Sequence, residues 1–147
     1  MRLVEGISDP TVHRMDSLPF VDEHSRHLRA TPERAWEALM QFTSRTLERA
    51  APATFVALWD LEPKAGFAVA EKTPPRHVAL RGKHRFSRYE LAFDLVPDGD
   101  GVNVVARTSA EFPGFKGRAY RALVIGSGGH KLAVGYMLRQ VARRAER

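Results

Sequence analysis

The sequence predicts an α+β domain in which an antiparallel sheet of six to seven strands lies between helical segments. Three observations predict it. Apolar residues recur at helical spacing early and late in the chain, while period 2 governs the middle. The strand-like runs sit in one block joined by short turn signals, which leaves no space for the crossover helices that parallel strands need. A length of 147 residues with 44% apolar content suits one core rather than two.

The elements follow in order. Met1 to Pro19 lacks sustained periodicity and reads as an N-terminal arm (1–19) before a single domain (20–147). Val21 to Ala30 is polar for a strand but leads into a clear helix start. Thr31 is an N-cap residue, Pro32 suits the first helical position, and Glu33 sets negative charge against the helix N-terminus. Ala35, Trp36, Leu39, Met40 and Leu47 form one stripe, so a helix is expected from Pro32 to about Arg49, ended by Ala51-Pro52. Phe55 to Leu61 reads as the next strand. Phe67 to Lys72, His77 to Lys83, Phe86 to Val96 and Val102 to Phe112 follow, punctuated by Pro63 to Gly66, Pro74-Pro75 and Asp98 to Gly101. Val78 and Leu80 point to one face and His77, Arg81 and Lys83 to the other; Tyr89, Leu91, Phe93 and Leu95 share the inward face of the longest strand. Lys116 to Val124 is helical. Gly126, Gly128 and Gly129 break it, and a longer helix runs from about His130 to Glu146 on a stripe of Leu132, Ala133, Tyr136, Met137, Val141 and Ala145.

Composition narrows the chemistry. With no cysteine there are no disulfides, thiolate metal sites or cysteine nucleophiles, which fits a cytoplasmic location. The first twenty residues hold no stretch resembling a signal peptide, and no run has the ~18 apolar residues of a membrane span. A net charge of +6 and a pI near 10.2 favour anionic partners, with basic residues concentrated in Arg76 to Arg88 and Arg139 to Arg147. No phosphate loop, dinucleotide fingerprint or His-Glu-x-x-His pair is present, so no cofactor is expected. Gly126-Ser127-Gly128-Gly129 can bare N–H groups to an anion, but it lacks the preceding strand of a phosphate loop and reads first as a helix start. His24, His27, His77, His84 and His130 are spaced irregularly, and positions 24 and 27 fall on opposite faces of a strand; no metal site is expected.

The element order resembles the START-like or Bet v 1-like superfamily, the SRPBCC or polyketide cyclase/dehydrase-like group. Asp22 to Ala30 followed by Thr31-Pro32-Glu33-Arg34-Ala35-Trp36-Glu37-Ala38-Leu39 is similar to that group's first strand and helix start. Leu80 to Leu91, and Phe112 to Gly126 with His130 beyond, look like an uncharacterised bacterial branch of it. The resemblance spans residues 20 to 146. It implies a helix-grip fold, a curved sheet wrapped around the C-terminal helix with an apolar cavity between them. It also implies a binding function for an apolar or amphipathic molecule, lipid or polyketide-like, with residues 117 to 129 as the cavity rim.

Within that frame His84 falls on the inner face with Val78 and Leu80, where a histidine can titrate near neutrality as acid or base, although Phe86-Ser87 disturbs the alternation. Tyr89 can orient a carbonyl or phenol. Tyr120 and Arg121 sit near the cavity mouth, where Arg121 can hold a carboxylate. The ligand-binding candidates are therefore His84, Tyr89, Phe93, Phe112, Tyr120, Arg121, His130, Val134 and Met137; His84 and Tyr89 are also the catalytic candidates, against a reading in which both are simply core or turn residues. Trp36, Trp59 and Phe67 are further core or lining positions. Three functions stay open: a small-molecule binding protein, a cyclase or dehydratase, and a basic module for RNA, acidic lipid or protein. Expected partners are an apolar or amphipathic small molecule and, peripherally, an acidic membrane surface. Nucleic acid is disfavoured, and the chain is a monomer or homodimer.

Overall fold

A computed structural model of the chain describes residues 18–49 and 52–147. The expected arm lies outside them but for its last two residues. The described residues form five strands and four helices in the order β1 (Phe20–Leu28), α1 (Pro32–Glu48), α2 (Ala53–Trp59), β2 (Ala68–Thr73), β3 (His77–His84), β4 (Ser87–Asp98), β5 (Gly101–Glu111), α3 (Gly114–Val124) and α4 (Gly129–Ala145). The sheet is antiparallel throughout with strand order β1-β5-β4-β3-β2. Thus β2 to β5 form a meander, and β1 closes onto its last strand. Among the described residues no helix is long and apolar enough to cross a membrane.

The α+β class is as expected, but the sheet has five strands rather than six to seven. The missing strand is the expected run Phe55 to Leu61, which forms α2 instead. A short apolar run bounded by turn residues fits a strand and a helical turn equally well by periodicity. Here Phe55 and Trp59, four apart, face the same way, and Asp60 closes the helix in a left-handed conformation with its N–H on the Val56 carbonyl. At the N-terminus of α1, Thr31 Oγ1 accepts from the Arg34 N–H at 3.2 Å, the cap expected from the sequence.

Register lines the inward residues into rows across the sheet. His84 pairs with Ser87. Tyr89 lies between Gly82 and Ala110, Leu91 between Leu80 and Thr108, and Phe93 between Val78 and Ala106. On the β1 side, Asp22 lies opposite Thr108 and His24 opposite Ala106. The core gathers at one end of these rows. Val78, Phe93, Leu95, Val104 and Ala106 are buried there with Ala35, Trp36 and Leu39 of α1 and Leu138, Val141 and Ala142 of α4. α4 packs against α1, β1 and β5, so the C-terminal helix closes the concave face as the resemblance implies. On the opposite face, arginines and lysines alternate with carboxylates. Arg81 pairs with Glu90 and with Glu71 at 3.3 Å, Arg88 with Glu111 at 3.3 Å, and Arg107 with Glu23 at 3.0 Å.

Candidate functional site

The other end of the concave face is hollow. A cavity of about 460 Å³ opens between the rows of His84, Tyr89 and Thr108 and a cover built from α2, α3 and α4. Phe55 and Trp59 come from α2, Tyr120 and Val124 from α3, and His130, Val134 and Met137 from α4. The segment between α2 and β2 forms a side wall. It is tied to the end of β3 by paired Glu62 and Lys83 backbone bonds of 2.8 Å and by the Arg85 N–H on the Trp59 carbonyl at 2.7 Å. The wall comes so close that a Cβ on Gly82 would sit 2.1 Å from the Gly66 carbonyl oxygen, so only glycine fits there. Its approach is fixed by the Tyr89 hydroxyl, which donates to Gly66 O at 2.5 Å.

Two histidines interrupt this mostly apolar lining, beside the hydroxyls of Ser87, Tyr89, Thr108 and Tyr120. The first is His84, boxed by aromatic rings. Tyr120 lies 4.8 Å away by ring centroids, Tyr89 5.6 Å and Trp59 5.7 Å. The tight β3–β4 turn sends the Phe86 N–H onto His84 Nδ1 at 3.1 Å, so the neutral ring carries its proton on Nε2. Burial pulls the His84 pKa below the usual value of 6.5. Burial also raises Tyr120, and burial together with the neighbouring Tyr120 pushes Tyr89 up to about 12. Tyr89 is therefore a fixed donor to Gly66 rather than a group that moves protons near neutrality.

The second histidine lies across the cavity. His130 Nε2 stands 3.1 Å from Asp22 Oδ1 and 3.0 Å from Thr108 Oγ1, and Asp22 Oδ2 takes a further hydrogen bond from His24 Nε2 at 3.1 Å. A bulge makes this possible. The β1 register slips between Phe20 and Asp22, which brings Val21 to the cavity lining and sets Asp22 under the first turn of α4. Burial raises the Asp22 pKa, but the hydrogen bond from His24 and the charge and hydrogen bond of His130 together outweigh it, and the carboxyl lies below its usual value. Among the described residues no group of three ligating side chains is arranged to hold a metal ion. Gly128 has φ 78° and caps α4, and the Gly129 N–H is taken by Ser127 Oγ at 3.3 Å, so the glycine cluster serves as a helix start.

Seven of the nine expected site residues come together around the cavity: His84, Tyr89, Phe112, Tyr120, His130, Val134 and Met137. Two do not. Phe93 has the expected facing but lies one row deeper, 1% exposed, in the packed core. Arg121 is exposed on α3 and does not line the cavity, because the helix turns it away when Tyr120 and Val124 face inward. Of the other aromatics, Trp59 and Phe67 line the cavity, Trp36 is core and Tyr136 is exposed. The sequence reading missed Asp22 and Thr108. Thr108 shares the parity of Val104 and Ala106, and Asp22 that of Leu28. The bulge and the pairing of β1 with β5 were needed to bring the two together.

Solved structures share this fold. A conserved protein from Geobacillus kaustophilus is 20% identical, with a TM-score of 0.57 over 84% of this chain and 93% of its own. A protein from Chromobacterium violaceum is 12% identical, with a TM-score of 0.56 over 88% of this chain and 99% of its own. CalU16 from Micromonospora echinospora is 16% identical, with a TM-score of 0.50 over 84% of this chain and 82% of its own. At these identities the likeness shows a shared fold. No family model matches the chain, and no curated protein matches it.

Proposed function

We propose that this chain is a START-like helix-grip protein that binds an apolar or amphipathic small molecule between its sheet and C-terminal helix, without turning it over. The observation that carries this reading is the cavity, whose volume of about 460 Å³ falls within the range of small-molecule sites. Its makeup, mostly aromatic and aliphatic with two separated histidines, is also that of a binding site. The cyclase or dehydratase reading is weaker, because its second candidate, Tyr89, is committed to the Gly66 carbonyl and holds its proton too tightly for general acid–base work. The basic-module reading is weaker too. Three of the five lysines and arginines in Arg76 to Arg88, namely Arg81, Lys83 and Arg88, each pair with a glutamate. The test is native mass spectrometry of the intact chain with a panel of lipids and polyketides. The expected result is one retained ligand per chain. Retention of none, together with salt-sensitive RNA binding, overturns the proposal in favour of the basic module.

A further inference from the structure

The cavity is apolar, yet its charge pattern is informative. The protein carries +6, but among the described residues no lysine or arginine lines the cavity. The carboxylates near it belong to Asp22, held by His24 and His130, and Glu90, held by Arg81. Among the described residues an anionic headgroup here meets no lysine or arginine and bears the cost of burying a poorly paired charge. The ligand that fits is neutral.

The polar groups say more. In its neutral form His130 sends its Nε2–H toward Asp22 Oδ1 and Thr108 Oγ1, as the carboxylate requires, which leaves an acceptor lone pair on Nδ1. Nδ1 has no partner among the described residues. No fully buried side-chain nitrogen or oxygen among them lacks a partner, so Nδ1 is not sealed off but borders accessible space. His84 is its complement. With Nδ1 occupied by the Phe86 N–H, its Nε2 is a donor.

Resting on the binding function proposed above, we propose that the ligand is a neutral, largely apolar molecule bearing a hydroxyl or phenol group. Its O–H donates to His130 Nδ1, which Asp22 orients. Asp22 and Thr108 are positioning residues: they fix the ring and its tautomer. Carboxylate and phosphate amphiphiles are disfavoured ligands. This removes the carboxylate-holding role expected for Arg121.

The test uses the full chain and displacement of the neutral dye N-phenyl-1-naphthylamine by three matched competitors: 4-octylphenol, its methyl ether, and 4-octylbenzoate. The phenol should displace dye at roughly tenfold lower concentration than the ether, as one buried hydrogen bond allows, with the benzoate weakest. In His130→Leu the phenol-to-ether ratio should fall to about one. His130→Phe, which keeps a ring in the same space, serves if the leucine variant does not fold, and the ratio cancels any change in dye affinity. A benzoate as effective as the phenol, or a phenol preference that persists in a folded variant, overturns this inference while leaving the binding reading intact. Failure of dye and all competitors to bind overturns both.

Discussion

The two halves of the concave face are built from the same strands with the same alternation, yet one is solid and the other hollow. Around Phe93, α1 lies across the sheet and α4 against α1, so Val78, Phe93 and Ala106 are sealed. Around Tyr89, two rows away, the cover is shorter and broken: α2 is a seven-residue helix, and glycines separate α3 from α4. Inward side chains alone do not make a core; an unbroken helix must fill the space above them. Where the cover is interrupted, the same pattern yields a chamber.

The contrast is sharpest in large-to-small substitutions. Phe93→Ala should cost about 3–5 kcal/mol in denaturant unfolding, whereas Tyr120→Ala, bordering a void, should cost under about 2 kcal/mol and mainly weaken dye binding. Equal costs would mean that the hollow half is packed as tightly as the core. Gly82→Ala should cost about 1–3 kcal/mol, because its Cβ meets the Gly66 carbonyl and Tyr89 ring; wall and dye affinity should change together.

His84→Ala should leave folding intact and weaken dye binding severalfold, as the box around His84 opens. Unchanged affinity would remove His84 from the site. His84 also predicts a pH dependence. Its folded pKa is depressed, so as pH falls the unfolded chain takes up the proton first. The stability of the neutral buried ring is complete above about pH 6.5 and is lost below it, toward the lower folded value. Urea melts from pH 7.5 down to 5 should show this slope, and His84→Phe should flatten it. The smallest effect belongs to the outer face: Glu23→Gln, which breaks the 3.0 Å pair with Arg107, should cost under about 1 kcal/mol, less in high salt.

Much of this contrast was legible in the sequence, and the gaps have physical causes. Thr31-Pro32-Glu33 marked the start of α1 because capping is local chemistry, and the alternation through Tyr89, Leu91 and Phe93 gave the inward face because strand period is local too. Depth along a strand is not local: Phe93 and Tyr89 look alike until α1 is seen to cover one and not the other. Nor is helix facing at a rim. Tyr120 and Arg121 are adjacent, and only the docking of α3 decides which turns inward. The Phe55 to Leu61 run was ambiguous by period and short enough to go either way. The Asp22–His130 pair joins residues 108 positions apart through a bulge that no sequence pattern announces.

The half of the sheet around Tyr89 encloses usable space. The most direct test is to fill that space from within with Ala110→Phe and titrate the folded variant with N-phenyl-1-naphthylamine beside the native chain. Dye binding should be lost while unfolding stability changes by less than about 1 kcal/mol, because the new ring enters a void rather than a packed core. Undiminished dye binding, or a destabilisation of the several kcal/mol expected from overpacking, would contradict an enclosed, usable space.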